Sequence, residues 1–542
     1  MRTHSFRIIP FFCCCVFLFN NLCIAAPTEK NVRDTMKRAT VFMTHTVSYD
    51  GGYVWSYLPD FSRRWGEMEA KPTMVWVQPP GTATMGHLYL DTYHASQDDF
   101  YYQAAQQVGD VLIRGQHASG GWNYMFDLAG EKSLQQWYQT IGRNGWALEE
   151  FHHYYGNATF DDAGTFEASV FLLRLYLEKH DKQYRPALNR AINFVLDSQY
   201  PIGGWPQRFP PMKEHANKGQ ADYSRYITFN DGVAAKNLFF LLFCYQSLNE
   251  APLRKRLLNA IDRGMDAFIQ LKLPAPQPGW ALQYSLDRKP AAARSYEPIS
   301  VSVGTTANNL NLLMRFYELS GDNKFLETIP QSLDWLESLQ LPQALIRDGR
   351  THPRMVEIGT DRPLFVHRRG SNVNNGHYFI NYDSAFQVSH YPSTGRVDVQ
   401  ALRKKYQVLK TAAAQTASNK TDLTLKNIPE LPLFFIHSWY VSRDAQTGKT
   451  TQKTKPSNKQ INSIIKTLNA QGYWPSELRS VTHPYNAKGK VSNTQSDYRT
   501  SRVGDDSDTA PYTPDPPLTG ITLLSYIKNM SVLLQYLEQV DE

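Results

Sequence analysis

The sequence predicts an all-α protein, an (α/α) toroid of antiparallel helical hairpins with long loop insertions. Three observations carry this reading: apolar residues recur at helical spacing in many segments, period-two runs are scarce, and a Gly-Gly-aromatic turn recurs where helices end. The 542 residues divide into an expected leader over 1–25 and one toroid domain over 26–542.

The leader comes first. Arg2 and Arg7 precede an apolar stretch over 8–22, and Cys23-Ile24-Ala25 forms a small-residue site before Ala26, the pattern of a secretory signal peptide. Export, to the periplasm or out of the cell, is therefore expected. No later segment has the roughly 18 uninterrupted apolar residues of a spanning helix, so no membrane partner is expected. Of five cysteines, Cys13, Cys14, Cys15 and Cys23 lie in the leader, which leaves Cys244 with no disulfide partner. Cys244 falls in the apolar run 238–245 and reads as a buried thiol. The shortage of disulfides suits a bacterial exported protein better than a eukaryotic one.

The helical segments follow in order: 31–47, 83–95, 101–114, 166–178, 184–198, 231–248, 253–271, 306–319, 324–339 and 520–540. Between them, Gln116-His117-Ala118-Ser119-Gly120-Gly121-Trp122 closes one helix and Gln199-Tyr200-Pro201-Ile202-Gly203-Gly204-Trp205-Pro206 another. Gly51-Gly52-Tyr53-Val54-Trp55 and Gln471-Gly472-Tyr473-Trp474-Pro475 are looser copies. Glycine after a helix can take the left-handed cap conformation, and the aromatic beyond it can fold back as an apolar plug. Turns repeated at helix ends gather at one end of a helical array, so functional loops are expected at one mouth of the ring. Residues 358–396 are rich in Asn and Gly and read as loops, while about 396–460 reads as an irregular insertion, most clearly the Thr/Ser/Lys/Asn-rich part 412–460. The periodic segment at 520–540 brings the C-terminus back into the same core.

Removing Arg2 and Arg7 takes the net charge from +7 to +5, a modest excess that suits an acidic partner. No basic run with interleaved aromatics is present, so nucleic acid is not an expected partner. A monomer is expected.

Four segments carry candidate chemistry. Asn157-Ala158-Thr159-Phe160-Asp161-Asp162-Ala163-Gly164-Thr165 precedes a helix, and Asp162 reads first as a helix cap. Gly203-Gly204-Trp205-Pro206-Gln207-Arg208 is followed by Thr228-Phe229-Asn230-Asp231-Gly232, where Asp231 alone would also read as a cap. Trp280-Ala281-Leu282-Gln283-Tyr284 leads to Ala293-Arg294-Ser295-Tyr296-Glu297, and the last segment holds Arg354, Glu357 and Arg368-Arg369-Gly370. Singly, these arginines read as surface charge.

Together, in this order and at these intervals, the segments resemble the pectate lyases of polysaccharide lyase family 10, with a family-like core over about 120–370. The resemblance implies cleavage of α-1,4-polygalacturonate by β-elimination with Ca2+ as cofactor. It implies Arg294 as the base that removes the C5 proton, Asp161 and Asp231 as calcium-holding acids, and Arg354 and Arg368 as carboxylate-binding arginines. Asn230 and Tyr296 fall in motif positions beside this centre, and so do Trp205 and Trp280, whose rings stand either against sugar or in the packing. The sequence departs from the family's pattern at Ala163, Tyr284, Met355, Val356 and Arg369.

The chemistry explains the residue types. Removing the C5 proton beside a carboxylate builds negative charge on a group already anionic, which a hard cation on oxygen ligands can offset. Arginines add planar recognition of carboxylates. Arginine as a base is demanding, since its pKa is above about 12; nearby calcium and further arginines would lower it. Two other readings use the same residues: an inverting glycoside hydrolase with Asp161 and Asp231 as its acid pair, and a catalytically inactive polyuronate-binding protein. The acid-rich Asp505-Asp506-Ser507-Asp508 would suit a terpene cyclase-like toroid, which the leader argues against.

Overall fold

A computed structural model describes residues 27–144, 149–213, 222–369, 377–385, 391–415, 425–436, 456–478, 481–482, 511–512 and 518–540. The helices among them, in chain order, are α1 (Glu29–Phe42), α2 (Thr82–Ser96), α3 (Asp99–Arg114), α4 (Glu131–Thr140), α5 (Gly164–Lys179), α6 (Arg185–Asp197), α7 (Val233–Ser247), α8 (Ala251–Gln270), α9 (Val303–Ser320), α10 (Lys324–Glu327), α11 (Ile329–Ser338), α12 (Val399–Gln415), α13 (Asn458–Thr467) and α14 (Leu523–Val540). The leader and the Asp505 tetrad lie outside the described residues.

Two kinds of helix alternate, and their sequences decide their places. α3, α6 and α8 carry one buried apolar stripe each, with charged residues on the other face. α2, α5 and α7 are buried nearly all round, as helices enclosed by others must be. The first kind forms an outer layer and the second an inner ring: α14, α2, α5 and α7 stand side by side, α9 packs on α8 and α12, and α1 packs on α14. That last contact joins the two ends of the chain, so the architecture is an (α/α) toroid. Because an outer helix running the opposite way leads into each inner one, the inner N-termini gather at one mouth.

The Gly-Gly-Trp turn makes that return possible. Gly120 and Gly203 have φ of +106° and +102°, and a Cβ on either would fall 2.1 Å or 1.9 Å from the carbonyl oxygens of Arg190 and Arg263 on the next outer helix. Only glycine fits there. The tryptophans that follow are buried, and the indole N–H of each donates to its own outer helix, Trp122 to the Leu112 carbonyl (2.8 Å) and Trp205 to the Val195 carbonyl (2.9 Å). Trp474 repeats this on Ile464 (2.9 Å).

Several expectations need correction. The helix read over 324–339 is two, α10 and α11, because Pro330 in the first turn of α11 can start a helix but cannot continue one. The segment 520–540 begins in a short strand, Thr519–Thr522, and only then becomes α14. Residues 358–396 contain an antiparallel hairpin, Phe365–Arg369 with His377–Asn381. The supposed insertion at 396–460 contains α12 and the start of α13, and its residues Phe435 and Ile436 are buried. Their polar flanks hid them: α12 is amphipathic but mostly exposed.

The far mouth is stoppered by that same stretch. Asp91 of α2 pairs with Arg174 of α5 (2.7 Å) and accepts from the backbone N–H of Phe435 (2.9 Å) and Ile436 (2.8 Å), while the Phe435 ring stacks on His87 at 3.7 Å. The open end is therefore the one that carries the inner N-termini.

Candidate active site

Short strands deliver the chemistry-bearing residues to that open mouth. Ala158–Thr159 pairs with Arg208–Phe209, and Ile227–Thr228 pairs with Gln283–Tyr284. Each pair ends where an inner helix begins, which sets Asp161 and Asp162 before α5 and Asp231 before α7. The positive end of the helix dipole favours acids at both places. Neither Asp162 nor Asp231 caps its helix through its side chain, contrary to the simplest sequence reading. Both take left-handed backbone, φ 48° and 49°, which turns them towards each other. One carboxylate oxygen from each of Asp161, Asp162 and Asp231 lies within 4.8 Å of the others.

Arg294 enters from the segment before α9. Its Nη2 donates to Asp161 Oδ2 at 2.6 Å, Nε to Glu150 Oε2 at 3.2 Å, and Nη1 to Glu297 Oε1 at 3.3 Å. Asp161 Oδ2 also accepts from Tyr124 Oη (2.6 Å) and Gln207 Nε2 (2.8 Å), while its buried Oδ1 has no hydrogen-bond partner. A second group, Glu67, Glu150 and Asp162, adjoins the first, with Gln78 Nε2 bridging Glu67 (2.8 Å) and Asp162 (2.9 Å).

This crowding sets the protonation states. Burial works to raise Asp161, but Arg294, Tyr124, Asp231 and Gln207 overcome it and hold the carboxyl down at about 2. Asp231 is an exposed residue whose carboxylate nonetheless sits against protein; desolvation, then the charge of Asp161, pushes it up to about 7. Burial and Glu150 push Glu67 up to about 8, and burial with Asp161 and Asp231 raises Asp162 well above its ordinary value. Burial alone would lower Arg294, yet Glu150, Asp161 and Glu297 raise it well above the usual arginine value. The expected downward push from neighbouring cations is thus reversed here, because its direct partners are acids.

The segment that bears most of these groups matches a known family. The model of the family described as pectic acid lyase matches residues 147–390, just under half of the chain. Residues 147–390 are similar to the pectic acid lyase family. The enzyme class of that family is polysaccharide lyase. Among solved structures, the chain resembles a family 10 polysaccharide lyase from Cellvibrio cellulosa at 20% identity, covering 60% of this chain and 97% of that one, with a TM-score of 0.41. It also resembles a cellobiose 2-epimerase from Spirochaeta thermophila (12% identity, 95% and 100% covered, TM-score 0.40) and an α-1,6-mannanase from a Salegentibacter species (10%, 95% and 99%, 0.35). These three likenesses are of low score, and the functional reading rests on the family match and the site. No curated protein matches the chain.

The pectic acid lyase segment brings together most of the residues singled out from sequence. Arg294, Asp161 and Asp231 meet at one mouth. Asn230 Nδ2 approaches Glu297 Oε1 at 3.4 Å. Tyr296 is buried and packs its ring against Tyr378 and Tyr391. Arg354 is half-buried, its guanidinium 4.2 Å from the centre of the Tyr391 ring, and Tyr391 in turn donates to Glu297 (3.0 Å). Arg368 stands on the Phe365–Arg369 strand opposite Tyr378; its side chain lies outside the described set. Trp205 and Trp280 are corrected: both are fully buried, and Trp280 donates to the Phe268 carbonyl (2.8 Å) as Trp205 does to Val195. They hold the wall and present no face to a ligand.

Sequence reasoning missed Glu67, Gln78, Tyr124, Glu150 and Arg208. Glu67, Gln78 and Tyr124 lie outside the pectic acid lyase segment, where nothing near them in the chain marked a site. Arg208 lies two residues beyond Pro206 of the Gly-Gly-Trp-Pro turn; it is buried, donates to Asn157 (3.1 Å) and Asn123 (3.2 Å), and stacks over Tyr155 at 4.5 Å. Its signal was a charged residue alternating with Gln207 and Phe209 on a strand beside the Gly-Gly-Trp turn.

The donors fit a hard cation. Carboxylates outnumber guanidiniums, the ligand set is all oxygen, and Asp161 Oδ1 is buried without a partner. Asp161, Asp162 and Asp231 are the residues that would hold it.

Proposed function

We propose that this protein cleaves polygalacturonate by calcium-dependent β-elimination and gives unsaturated oligogalacturonides. One observation carries the reading most: Arg294 and the acids Asp161 and Asp231, far apart in sequence, converge at the open mouth within a pectic acid lyase segment. Calcium on Asp161, Asp162 and Asp231 would orient the uronate carboxylate and offset the charge that develops when C5 loses its proton.

The chain's own residues account for the rest. Arg354, without a salt bridge among the described residues and braced on Tyr391, receives a substrate carboxylate, and Arg368 is assigned a second. Arg294 is assigned the C5 proton. The electron pair left at C5 forms the C4–C5 double bond, the C4–O4 bond breaks, and O4 leaves and takes a proton from water. To accept the proton Arg294 must first be neutral, which its three acid contacts oppose; substrate and cation competing for those acids is what would free it. A rate that climbs from neutral to alkaline pH is expected, and one that falls would remove Arg294 from this role. Export follows the leader over 1–25, and a single chain holds every assigned group.

An inverting hydrolase fits the geometry less well. Its two carboxyls stand roughly 6.5–9.5 Å apart to admit a water, whereas oxygens of Asp161 and Asp231 approach within 4.8 Å. The deciding experiment is incubation with polygalacturonate and calcium, read by ultraviolet absorbance of the new double bond. Unsaturated product that vanishes with chelator and with Arg294→Ala is the expected result. Saturated reducing ends would establish a hydrolase, and binding without turnover would leave only a polyuronate-binding protein.

A further inference from the structure

The recurring turn buries its tryptophan in the wall everywhere but once. After α3, α6, α8 and α13 the indoles of Trp122, Trp205, Trp280 and Trp474 are buried, each N–H satisfied by the preceding outer helix. After α1 the register is shifted. Tyr53 follows the two glycines, is buried, and shares a hydrogen bond with Tyr89 (2.8 Å), so the plug position is already filled. Trp55 comes two residues later and is left half-buried, the one tryptophan among the described residues that is not buried.

Its position is fixed from three sides. The Trp55 indole N–H donates forward to the Gln78 carbonyl (2.9 Å), and the Trp55 carbonyl accepts from the Leu523 N–H at the start of α14 (2.9 Å). Its ring meets buried Trp76 edge-on, with centroids 6.2 Å apart at 64°. The side chain of that same Gln78 bridges Glu67 and Asp162. Trp55 therefore stands at the open mouth, a single residue removed from the acid cluster, and lies outside the pectic acid lyase segment.

A ring held this firmly yet left part-open forfeits burial that its counterparts gain. Its remaining surface suits the C–H face of a pyranose, since a flat indole with its N–H already engaged offers apolar contact and few competing polar demands. We propose that Trp55 is a stacking platform for a galacturonate residue adjoining the one held at the acids. The proposal rests on the functional reading above and adds to it a sugar subsite supplied by the N-terminal part of the chain.

Calorimetric titration of the full chain with oligogalacturonates tests this, with Trp55→Ala and Trp55→Phe compared. The phenylalanine variant keeps a ring but loses the hydrogen bond to Gln78, which separates stacking from positioning, and thermal unfolding reports that both variants fold. Affinity is expected to weaken roughly three- to tenfold in Trp55→Ala and to stay within about twofold in Trp55→Phe. Because stacking ignores the carboxylate charge, the same ratio is expected with methyl-esterified oligomers. Equal losses in both variants, or none in Trp55→Ala, would overturn the proposal. Binding that depends on Trp55 without any unsaturated product would uphold the subsite and sink the lyase reading. Failure of the unaltered chain to bind any uronide would bring down both.

Discussion

The loop before α5 and the loop before α7 are near copies, and their differences show how the site is made. Thr159-Phe160-Asp161-Asp162-Ala163 corresponds in shape to Thr228-Phe229-Asn230-Asp231-Gly232: both begin on the last residue of a two-residue strand, and both turn through left-handed backbone at the fourth position, Asp162 or Asp231. Asp162 and Asp231 bring carboxylate oxygens within 4.8 Å of each other, so the two fourth positions meet in one acid cluster. The third positions break the likeness. Asp161 grips Arg294 at 2.6 Å, whereas Asn230, neutral, only approaches Glu297 at 3.4 Å. One backbone design thus serves two ends, a charge lock on one side and a polar spacer on the other.

Exchanging those third positions should have the largest effect. Asp161→Asn removes the strongest contact of Arg294 and one of the cation acids, so lyase rate is expected to fall on the order of 10²- to 10³-fold, the usual scale for a charge-stabilising group. Asn230→Asp adds an acid instead, and calcium affinity by calorimetry should rise. Equal rate losses in the two variants would show that the loops are interchangeable and that the charge lock does not matter.

The tryptophans that precede the two loops come next. Trp122→Ala and Trp205→Ala should each cost about 3–5 kcal/mol of stability by denaturant titration, the range for emptying a buried aromatic site. Calcium should recover little of that loss, since the damage lies in the wall; full recovery would place these residues in the site.

Acidity separates the loops more gently. Asp231 at about 7 and Glu67 at about 8 carry protons in the folded chain that they would shed when unfolded. Their contribution is therefore complete below about pH 4 and is lost as pH rises through 7 and 8, while Asp161, held at about 2, contributes above about pH 4 and loses this as pH falls. Without calcium the melting temperature should drop between about pH 5 and pH 8, and Asp231→Asn should flatten part of the drop. Exposure of Asp231 screens the effect, so a change of a few degrees is the scale to look for. A melting temperature that rises over this range would refute the assignment.

The smallest effect lies in the fifth position. Ala163 takes φ 65° and Gly232 φ 67°, and a Cβ at Gly232 would meet only the Lys236 side chain at 3.9 Å. Ala163→Gly should relieve about 1 kcal/mol of left-handed strain, and Gly232→Ala should impose a similar amount, both by equilibrium unfolding. Ala163→Gly that destabilises would mean that the methyl packing of Ala163 outweighs the strain.

Periodicity located ten of the helical segments because an enclosed helix must be apolar and an outer one must carry a stripe. It missed the ten-residue α4, whose buried residues are Leu134, Trp137 and Tyr138 alone, α12, which is largely exposed, and α13, whose short run of apolar residues stands in polar surroundings. Among the candidate residues, motif order singled out Arg294, Asp161 and Asp231, which the fold brings together at one mouth, since each lies in a short stretch whose neighbours are constrained by a strand and a helix start. The tryptophans of the same motifs were misplaced for the same reason: a Gly-Gly-Trp turn specifies a ring folded onto its helix, and the chain alone does not say which side of the wall that ring occupies.

What the sequence by itself determined is therefore the helical class, the repeated turn and the chemical types at the mouth, all properties of residues close in the chain. What only the tertiary structure decided is which of those residues share a volume. Glu67 and Gln78 reach Asp162, and Glu150 reaches Arg294, because the ring closes and its inner helices run parallel. Contacts of that kind arise from packing between distant segments, and no local pattern encodes them.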